Sequence, residues 1–147
     1  MNKTNNYAFS GITDKIIKAF YKVYNNLGYG FLEKVYEKAI IWELEKEGIP
    51  FQKQMPIMIY YDGRKIGKFI PDLIIEEKVV VEIKAVSCLL QCHEDQLRNA
   101  LRASGMEVGL LLNFGIQPQI KRKVFSNEFK KGIMNESMMD LNHKNPS

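Results

Sequence analysis

The stretch "PDLIIEEKVVVEIKAV", residues 71–86, constrains the fold more than any other part of the chain. Within it, Val79, Val80, Val81 and Ile83 predict a strand that is buried on both faces, as in a sheet covered by helices. A tight turn at residues 76–78 would lead into this strand from the apolar segment before it. We therefore expect a hairpin inside the sheet, and the charges of Glu82 and Lys84 within it require an explanation.

The register of this hairpin predicts which charged residues meet. If residues 76–78 form the turn, Asp72 lies opposite Glu82. Directly opposed residues of an antiparallel pair share a face, with Cβ atoms about 5 Å apart. Lys84 follows Glu82 by two positions and points the same way. Two carboxylates and an ammonium group are therefore predicted to converge on one patch.

Two carboxylates this close repel each other, and their burial adds to the cost, so a cation must compensate. Lys84 can supply one positive charge, which would make the cluster a structural salt bridge between two strands. A divalent metal supplies two charges, and oxygen ligands suit Mg²⁺ or Mn²⁺ better than zinc. The chemistry of the strands alone leaves both interpretations open.

The remaining pattern predicts helices on both sides of a mixed sheet. Asp62-Gly63 is a two-residue hairpin signal. The order of elements is ααβββαββ, which indicates an α/β domain of the α+β type, with a mixed β-sheet flanked by helices. One domain is expected at residues 11–133, between flexible tails at 1–10 and 134–147. The helices are predicted at 10–28, 31–48 and 91–105, and the strands at 55–61, 64–76, 79–86, 106–115 and 120–125.

Composition narrows the class of protein. The 147 residues suffice for one domain, and no apolar run approaches the ~20 residues that cross a bilayer. The N-terminal sequence lacks the pattern of a signal peptide, so we expect a cytoplasmic protein without membrane partners. Cys88 and Cys92, next to His93, offer three soft ligands without a fourth. We expect both to be half-buried thiols on a helix, and no metal is assigned to them.

The net charge of +4 tolerates a polyanionic partner without requiring one. The basic residues are concentrated near the C-terminus, where "IKRKVF" (120–125) contains Lys121, Arg122 and Lys123. These three could contact phosphates of a nucleic acid, or they could be the solvated edge of a strand.

Two motifs together resemble a known family. "PDLIIEEKVVVEIK" has Pro-Asp, nine intervening residues and Glu-x-Lys, as in the PD-(D/E)XK nuclease superfamily. "GFLEKVY" (30–36) matches Gly-x-x-Glu-x-x-Tyr, the motif that names the GxxExxY family within it. The resemblance extends over about residues 10–125. It implies a restriction-endonuclease-like core and Mg²⁺-dependent hydrolysis of phosphodiester bonds, most often in DNA.

The resemblance also implies roles for individual residues. Asp72, Glu82 and the backbone carbonyl of Ile83 would hold a Mg²⁺ or Mn²⁺ ion, and Lys84 would orient the attacking water. Glu33, on the second helix, would be a third carboxylate that reaches the metal directly or through water. Its alternative is a first-turn glutamate stabilised by the helix dipole.

Three more residues have two interpretations each. Gln96 resembles a glutamine that superfamily members often place on the helix after this strand, in contact with the scissile phosphate or a metal-bound water. For Gln96 and for His93, as a positioning residue, the alternative is the boundary of an amphipathic helix. Tyr36 could pack in the core, and it could also hold Glu33 in position.

Two positions depart from the family pattern. Relatives usually have a histidine where this chain has Tyr24, and a tyrosine where it has Ala100. Neither is an expected metal ligand, so the departures bear on substrate contacts.

Three functions stay open at this point. The chain could be an active nuclease on DNA, a nucleic-acid-binding or assembly module that keeps the fold without turnover, or a structural protein with an ion network. The intact set of Glu33, Asp72, Glu82 and Lys84 favours the nuclease. Without an obvious recognition domain, a homodimer or a partner protein could supply specificity.

Overall fold

The structure is a computed structural model, and it describes residues 9–130. The predicted C-terminal tail lies outside these residues. Of the predicted N-terminal tail only Phe9 and Ser10 are described, and Ser10 already begins the first helix. The last three residues of the predicted domain also lie outside the described part.

Within residues 9–130 the chain forms three helices and seven strands, with a short 3₁₀ helix at Asn127–Phe129. This confirms the predicted fold class. The helices are α1 (Ser10–Leu27), α2 (Glu33–Lys46) and α3 (Gln91–Arg102). The strands are β1 (Phe51–Lys53), β2 (Ile57–Tyr61), β3 (Arg64–Phe69), β4 (Leu73–Ile75), β5 (Val79–Lys84), β6 (Val108–Phe114) and β7 (Pro118–Val124).

The observed order, ααβββββαββ, has two more strands than the predicted ααβββαββ. One addition is β1, a three-residue strand that is too short to carry a periodic signal. The other arises because the predicted strand 64–76 is divided at residues 70–72, where β3 ends and β4 begins. Pro71 lies in this break, and a proline has no N–H to donate to a continuing ladder.

The two halves of the divided segment belong to different sheets. The main sheet has the order β1-β4-β5-β6-β7, while β2 and β3 form a separate two-stranded sheet. Strands β5 and β6 are parallel and are connected through α3, whereas the other neighbouring pairs are antiparallel. The charged strand β5 is therefore central, as predicted, and β7 is an edge strand.

The hairpin between β4 and β5 has the predicted register. Leu73 pairs with Val81, and Ile75 pairs with Val79. The turn is closed by the N–H of Lys78, which donates to the carbonyl of Ile75 at 3.0 Å. Its central residues Glu76 and Glu77 have φ of 52° and 58°, a left-handed conformation that costs non-glycine residues energy.

Apolar packing covers the main sheet on both faces. Helices α1 and α2 cover one face, where Phe20, Tyr36 and Ile40 pack against Val79, Val81 and Ile83 of β5. Helix α3 covers the other face through Leu97 and Leu101, which cluster with Val80 of β5. In residues 9–130 no helix combines the length and apolar character needed to span a membrane.

Hydrogen bonds from a buried asparagine hold the loop between β5 and α3. Asn113, fully buried in β6, accepts from the N–H of Val86 and donates to its carbonyl, each at 3.0 Å. Gly115 lies against the same loop, so that a Cβ there would stand 2.4 Å from the Val86 carbonyl oxygen. The backbone after the charged strand is thus set by β6.

This close approach predicts that Gly115→Ala destabilises the fold by about 2 kcal/mol, since backbone must move to admit the methyl group. Chemical denaturation followed by circular dichroism measures the loss. Gly67→Ala is the matched control, because a Cβ at Gly67 meets nothing within 4 Å, and it should change stability by less than ~0.5 kcal/mol. Equal stability of both variants would contradict this assignment.

Candidate active site

Asp72 and Glu82 meet just beyond the last paired residues of β4 and β5. The backbone N–H of Asp72 donates to Oε1 of Glu82 at 2.9 Å. The backbone N–H of Ile83 donates to Oδ2 of Asp72 at 2.7 Å. Each carboxylate therefore has one oxygen held by the backbone of the opposite strand, and the two groups are oriented relative to each other.

The second oxygen of each carboxylate is available. Among residues 9–130, no donor forms a hydrogen bond to Oδ1 of Asp72 or Oε2 of Glu82. Both residues are only partly exposed, so two acceptor atoms lie in a half-buried place without a protein donor. Such an arrangement is suited to a ligand that brings positive charge.

Burial and repulsion affect the ionisation of both groups. Burial raises the pKa of Glu82 to about 7, and the neighbouring charge of Asp72 contributes to the rise. Burial also raises the pKa of Asp72, against the effect of the Ile83 N–H, and the charges of Glu37 and Glu33 add to it. The cluster consequently carries an electrostatic cost when all its acids are ionised.

Lys84 lies beside this pair without bonding to it. Its positive charge lowers the pKa of both Asp72 and Glu82, but by less than burial raises it. Among residues 9–130, its ammonium group forms no ion pair within 4.0 Å and no hydrogen bond. The closed salt bridge between strands, one of the two interpretations of the sequence, is not formed here.

Helix α2 brings two further acids to the cluster. A small cavity of about 70 Å³ is lined by Glu33, Lys34, Glu37, Asp72 and Ile83. Glu33 is the first residue of α2 and is exposed, whereas Glu37 is buried one turn later. The side chain of Glu37 forms an ion pair with Lys34 at 2.9 Å and accepts from Gln54 Nε2 at 3.3 Å.

Glu37 was missed in the sequence, although one signal could have indicated it. Residues four apart lie on the same face of a helix, so a face that brings Glu33 to the sheet brings Glu37 with it. The motif spacing directed attention to Glu33 alone, and Glu37 lies outside Gly-x-x-Glu-x-x-Tyr.

Tyr36 connects the core to the start of α2. Its ring is fully buried and stacks on Phe114 with centroids 4.2 Å apart. Its hydroxyl donates to the carbonyl of Gly28 at 2.7 Å and accepts from the N–H of Phe31 at 3.2 Å. Tyr36 therefore packs in the core and also holds the loop that precedes Glu33.

His93 and Gln96 lie on α3, away from the α2 cavity. The Nδ1 atom of His93 accepts from the N–H of Leu90 at 3.0 Å and so caps the start of the helix. The side chain of Gln96 is exposed. Neither residue lines the acidic cavity, and a role for Gln96 at a phosphate remains a prediction.

The three basic residues of β7 do not form one patch. Lys121 and Lys123 pair with Leu111 and Gly109, so they point to the α3 side of the sheet, while Arg122 points to the other. Lys123 forms an ion pair with Glu94 of α3 at 2.6 Å. Because successive side chains of a strand point to opposite faces, these three residues are adjacent in the sequence but divided between the two faces of the sheet.

The positions that depart from the family pattern have structural partners. The hydroxyl of Tyr24 lies 2.7 Å from the carbonyl oxygens of both Gly115 and Ile116. Ala100 is buried.

Cys88 and Cys92, expected as half-buried thiols on a helix, are both exposed, and Cys88 precedes α3.

The donor chemistry of the cluster suits a hard divalent cation. No group of three or more His, Cys, Asp or Glu side chains within residues 9–130 is arranged to hold a metal ion. Mg²⁺, however, is commonly bound through one or two carboxylates, with water and phosphate oxygens completing the shell. The unbonded oxygens of Asp72 and Glu82 are carboxylate oxygens of this chemical type.

The acidic hairpin thus lies at the centre of the mixed sheet. The sequence profile of the PD-(D/E)XK nuclease superfamily matches residues 10–124. The chain therefore belongs to the PD-(D/E)XK nuclease superfamily.

The crystal structure of SSO0001 is similar, with a TM-score of 0.51 and 18% sequence identity, over 76% of this chain and 55% of that one. The chain thus spans about half the length of that protein, and the likeness concerns the fold. No curated protein matches the chain.

The raised pKa of Glu82 predicts an unusual dependence of stability on pH. Because the folded protein binds this proton more tightly than the unfolded chain, the stability it contributes is complete below pH 4.5 and is lost as pH rises through about 7. Glu82→Gln should therefore raise the free energy of unfolding by ~1–2 kcal/mol at pH 8 without metal, and by much less at pH 4.

Urea denaturation at both pH values, in the presence of EDTA, measures the effect. Glu45→Gln is the control, because Glu45 is exposed on α2, and it should leave both values unchanged. A Glu82→Gln protein that is less stable than wild type at pH 8 would indicate that Glu82 acts as a structural anion instead.

Proposed function

We propose that this protein is a Mg²⁺-dependent nuclease of the GxxExxY family that hydrolyses phosphodiester bonds in DNA. The observation that carries the proposal is the half-buried pair Asp72 and Glu82, with one unbonded oxygen each and an unpaired Lys84 beside them. A pair held this way is costly for stability. Its presence in a chain of this superfamily supports a catalytic use.

In this proposal Asp72, Glu82 and the backbone carbonyl of Ile83 hold the cation. Bound there, Mg²⁺ or Mn²⁺ would polarise a phosphoryl oxygen and make water more acidic at neutral pH. The two backbone hydrogen bonds keep both carboxylates in place before the ion arrives, so that little reorganisation accompanies binding.

Lys84 would act on the water and on the phosphate. Its ammonium group is free to donate to a water molecule and to hold it for in-line attack on phosphorus. The same positive charge would stabilise the negative charge that develops on the phosphoryl oxygens. Since no acid of the described chain engages Lys84, this group need not break an ion pair to do so.

The Gly-x-x-Glu-x-x-Tyr motif would position the third acid. Gly30 has φ of 115°, which favours glycine in the loop before α2. Tyr36 ties that loop to the core through Gly28 and Phe31. The first turn of α2, with Glu33, is thereby set against the hairpin, and this supports assignment to the GxxExxY family.

A nucleic-acid-binding module without turnover is the second candidate. It is favoured by the lack of a preformed group of three metal-ligating side chains in residues 9–130, since Glu33 is exposed and Glu37 is engaged with Lys34 and Gln54. Under this alternative the fold would hold DNA, and a partner protein or a second copy would supply activity.

A cleavage assay distinguishes the two candidates. Wild type should cut DNA in the presence of Mg²⁺ or Mn²⁺ and lose activity in EDTA, and Lys84→Ala should reduce the rate by about 10²-fold or more. Lys18→Ala, on the exposed side of α1, is the matched control and should cut as wild type does. The panel includes single-stranded, duplex and branched DNA together with RNA. If wild type cuts nothing, or Lys84→Ala cuts equally well, the enzymatic proposal fails.

The same assay separates the two acids of α2. If Glu33 is the third carboxylate, Glu33→Gln lowers the cleavage rate about 10-fold or more, whereas Glu37→Gln changes chiefly the stability, through the contacts with Lys34 and Gln54. The reverse result would transfer the role to Glu37. Melting temperatures of both variants identify any part of the effect that is due to unfolding.

A further inference from the structure

The hairpin of β2 and β3, residues 57–69, is a separate two-stranded sheet outside the main one. We call it the arm. Its base is anchored, since Ile57 is buried and Phe69 packs in the same cluster as Leu97 of α3. Its tip is the turn at Asp62-Gly63, and Tyr61 next to it is 61% exposed. Neither the metal site nor the core uses the outer part of this element.

The outer part of the arm is basic. Arg64, Lys65 and Lys68 are all exposed, and Asp62 is the only acid between residues 57 and 69. Among residues 9–130, none of the three cations forms an ion pair or a hydrogen bond. Three unpaired cations on a short ribbon suit a polyanionic partner.

The cations lie on both faces of the arm. Lys68 pairs with Met58 and Lys65 pairs with Tyr60, so these two lysines share a face. A shift of register between Ile59 and Tyr60 brings Lys65, three positions before Lys68, to that face. Arg64 pairs with Tyr61 and points to the opposite face.

We propose that the arm inserts into the major groove of duplex DNA. A two-stranded ribbon fits the width of that groove, about 12 Å in B-form DNA. Inside it, the two faces of the ribbon would meet the two phosphate backbones, with Lys65 and Lys68 toward one and Arg64 toward the other. The hydroxyls of Tyr60 and Tyr61 add donors to phosphate oxygens.

The distribution of charge selects duplex DNA over other nucleic acids. A single strand follows one surface, and cations on the reverse face would not contact it. Duplex RNA has a deep and narrow major groove that side chains do not read. The arm also continues through residues 70 and 71 into Asp72, so a duplex held there would lie near the acidic hairpin.

A binding assay without metal tests the arm independently of cleavage. Fluorescence anisotropy in EDTA measures the affinity of the full chain for a DNA duplex of about two helical turns. The triple variant Arg64→Gln, Lys65→Gln, Lys68→Gln should bind at least about 10-fold more weakly. The slope of log K against log salt concentration should become shallower by about 2.7, that is ~0.9 for each lost phosphate contact.

The matched control removes three exposed cations from α1 and α2: Lys15→Gln, Lys18→Gln and Lys38→Gln. It changes the net charge by the same amount and should retain most of the affinity. Circular dichroism melts of both triple variants establish that each is folded. Equal losses in the two variants would reduce the effect to net charge and overturn the proposal.

Two more outcomes would overturn the proposal. One is wild-type protein that does not bind duplex DNA, and the other is an arm variant that loses affinity for single-stranded DNA or duplex RNA as strongly as for duplex DNA. The outcome of this binding assay can be distinguished from the outcome of the cleavage assay that tests the nuclease proposal. If the protein binds duplex DNA through the arm but does not cut it, the arm proposal holds and the nuclease proposal fails. If the protein cuts DNA and the arm variant binds as tightly as wild type, only the arm proposal fails.

Discussion

The reciprocal hydrogen bonding of Asp72 and Glu82 is the constraint on which the rest of the site depends. Each carboxylate is held by a backbone N–H of the other strand, so the acids cannot move apart without breaking the end of the hairpin. Burial makes their ionisation costly, as the raised pKa of both groups indicates. A buried pair of like charges is a poor way to stabilise a sheet, and it is an effective way to bind a cation.

Three parts of the surrounding fold hold this pair in place: the loop before α2, the chain that follows β5, and the arm. Tyr36 fastens the loop before α2 to Phe114 of the sheet, which orients the helix that carries the other two acids. Asn113 and Gly115 set the chain that leaves β5. The arm, which lies outside the main sheet, is connected to the β4–β5 hairpin through Pro71. Separate elements of the fold thus hold the acidic and the basic side chains of the site, and charges of both signs lie close together around Asp72 and Glu82.

Prediction from sequence succeeded where the determinant is local. The pairing of Asp72 with Glu82 follows from the length of the turn and the two-residue period of a strand, and the structure has that register. The division of the segment 64–76 into β3 and β4 was not predicted, since the choice of sheet on each side of Pro71 depends on partners far away in the chain. The function of Lys123 as an ion-pair partner of Glu94 was likewise hidden, because α3 and β7 meet only after folding.

The sequence by itself determined the class of fold, the hairpin register and the identity of the central acids and lysine. These depend on periodicity, turn length and motif spacing, which act over a few residues. Only the tertiary structure decided that Glu37 joins the cavity, that Lys84 stays unpaired, and that the cations of the arm face two ways. The place of Glu37 depends on the orientation of α2, which long-range packing sets, and the two faces of the arm depend on a register shift within the hairpin that alternation alone does not show.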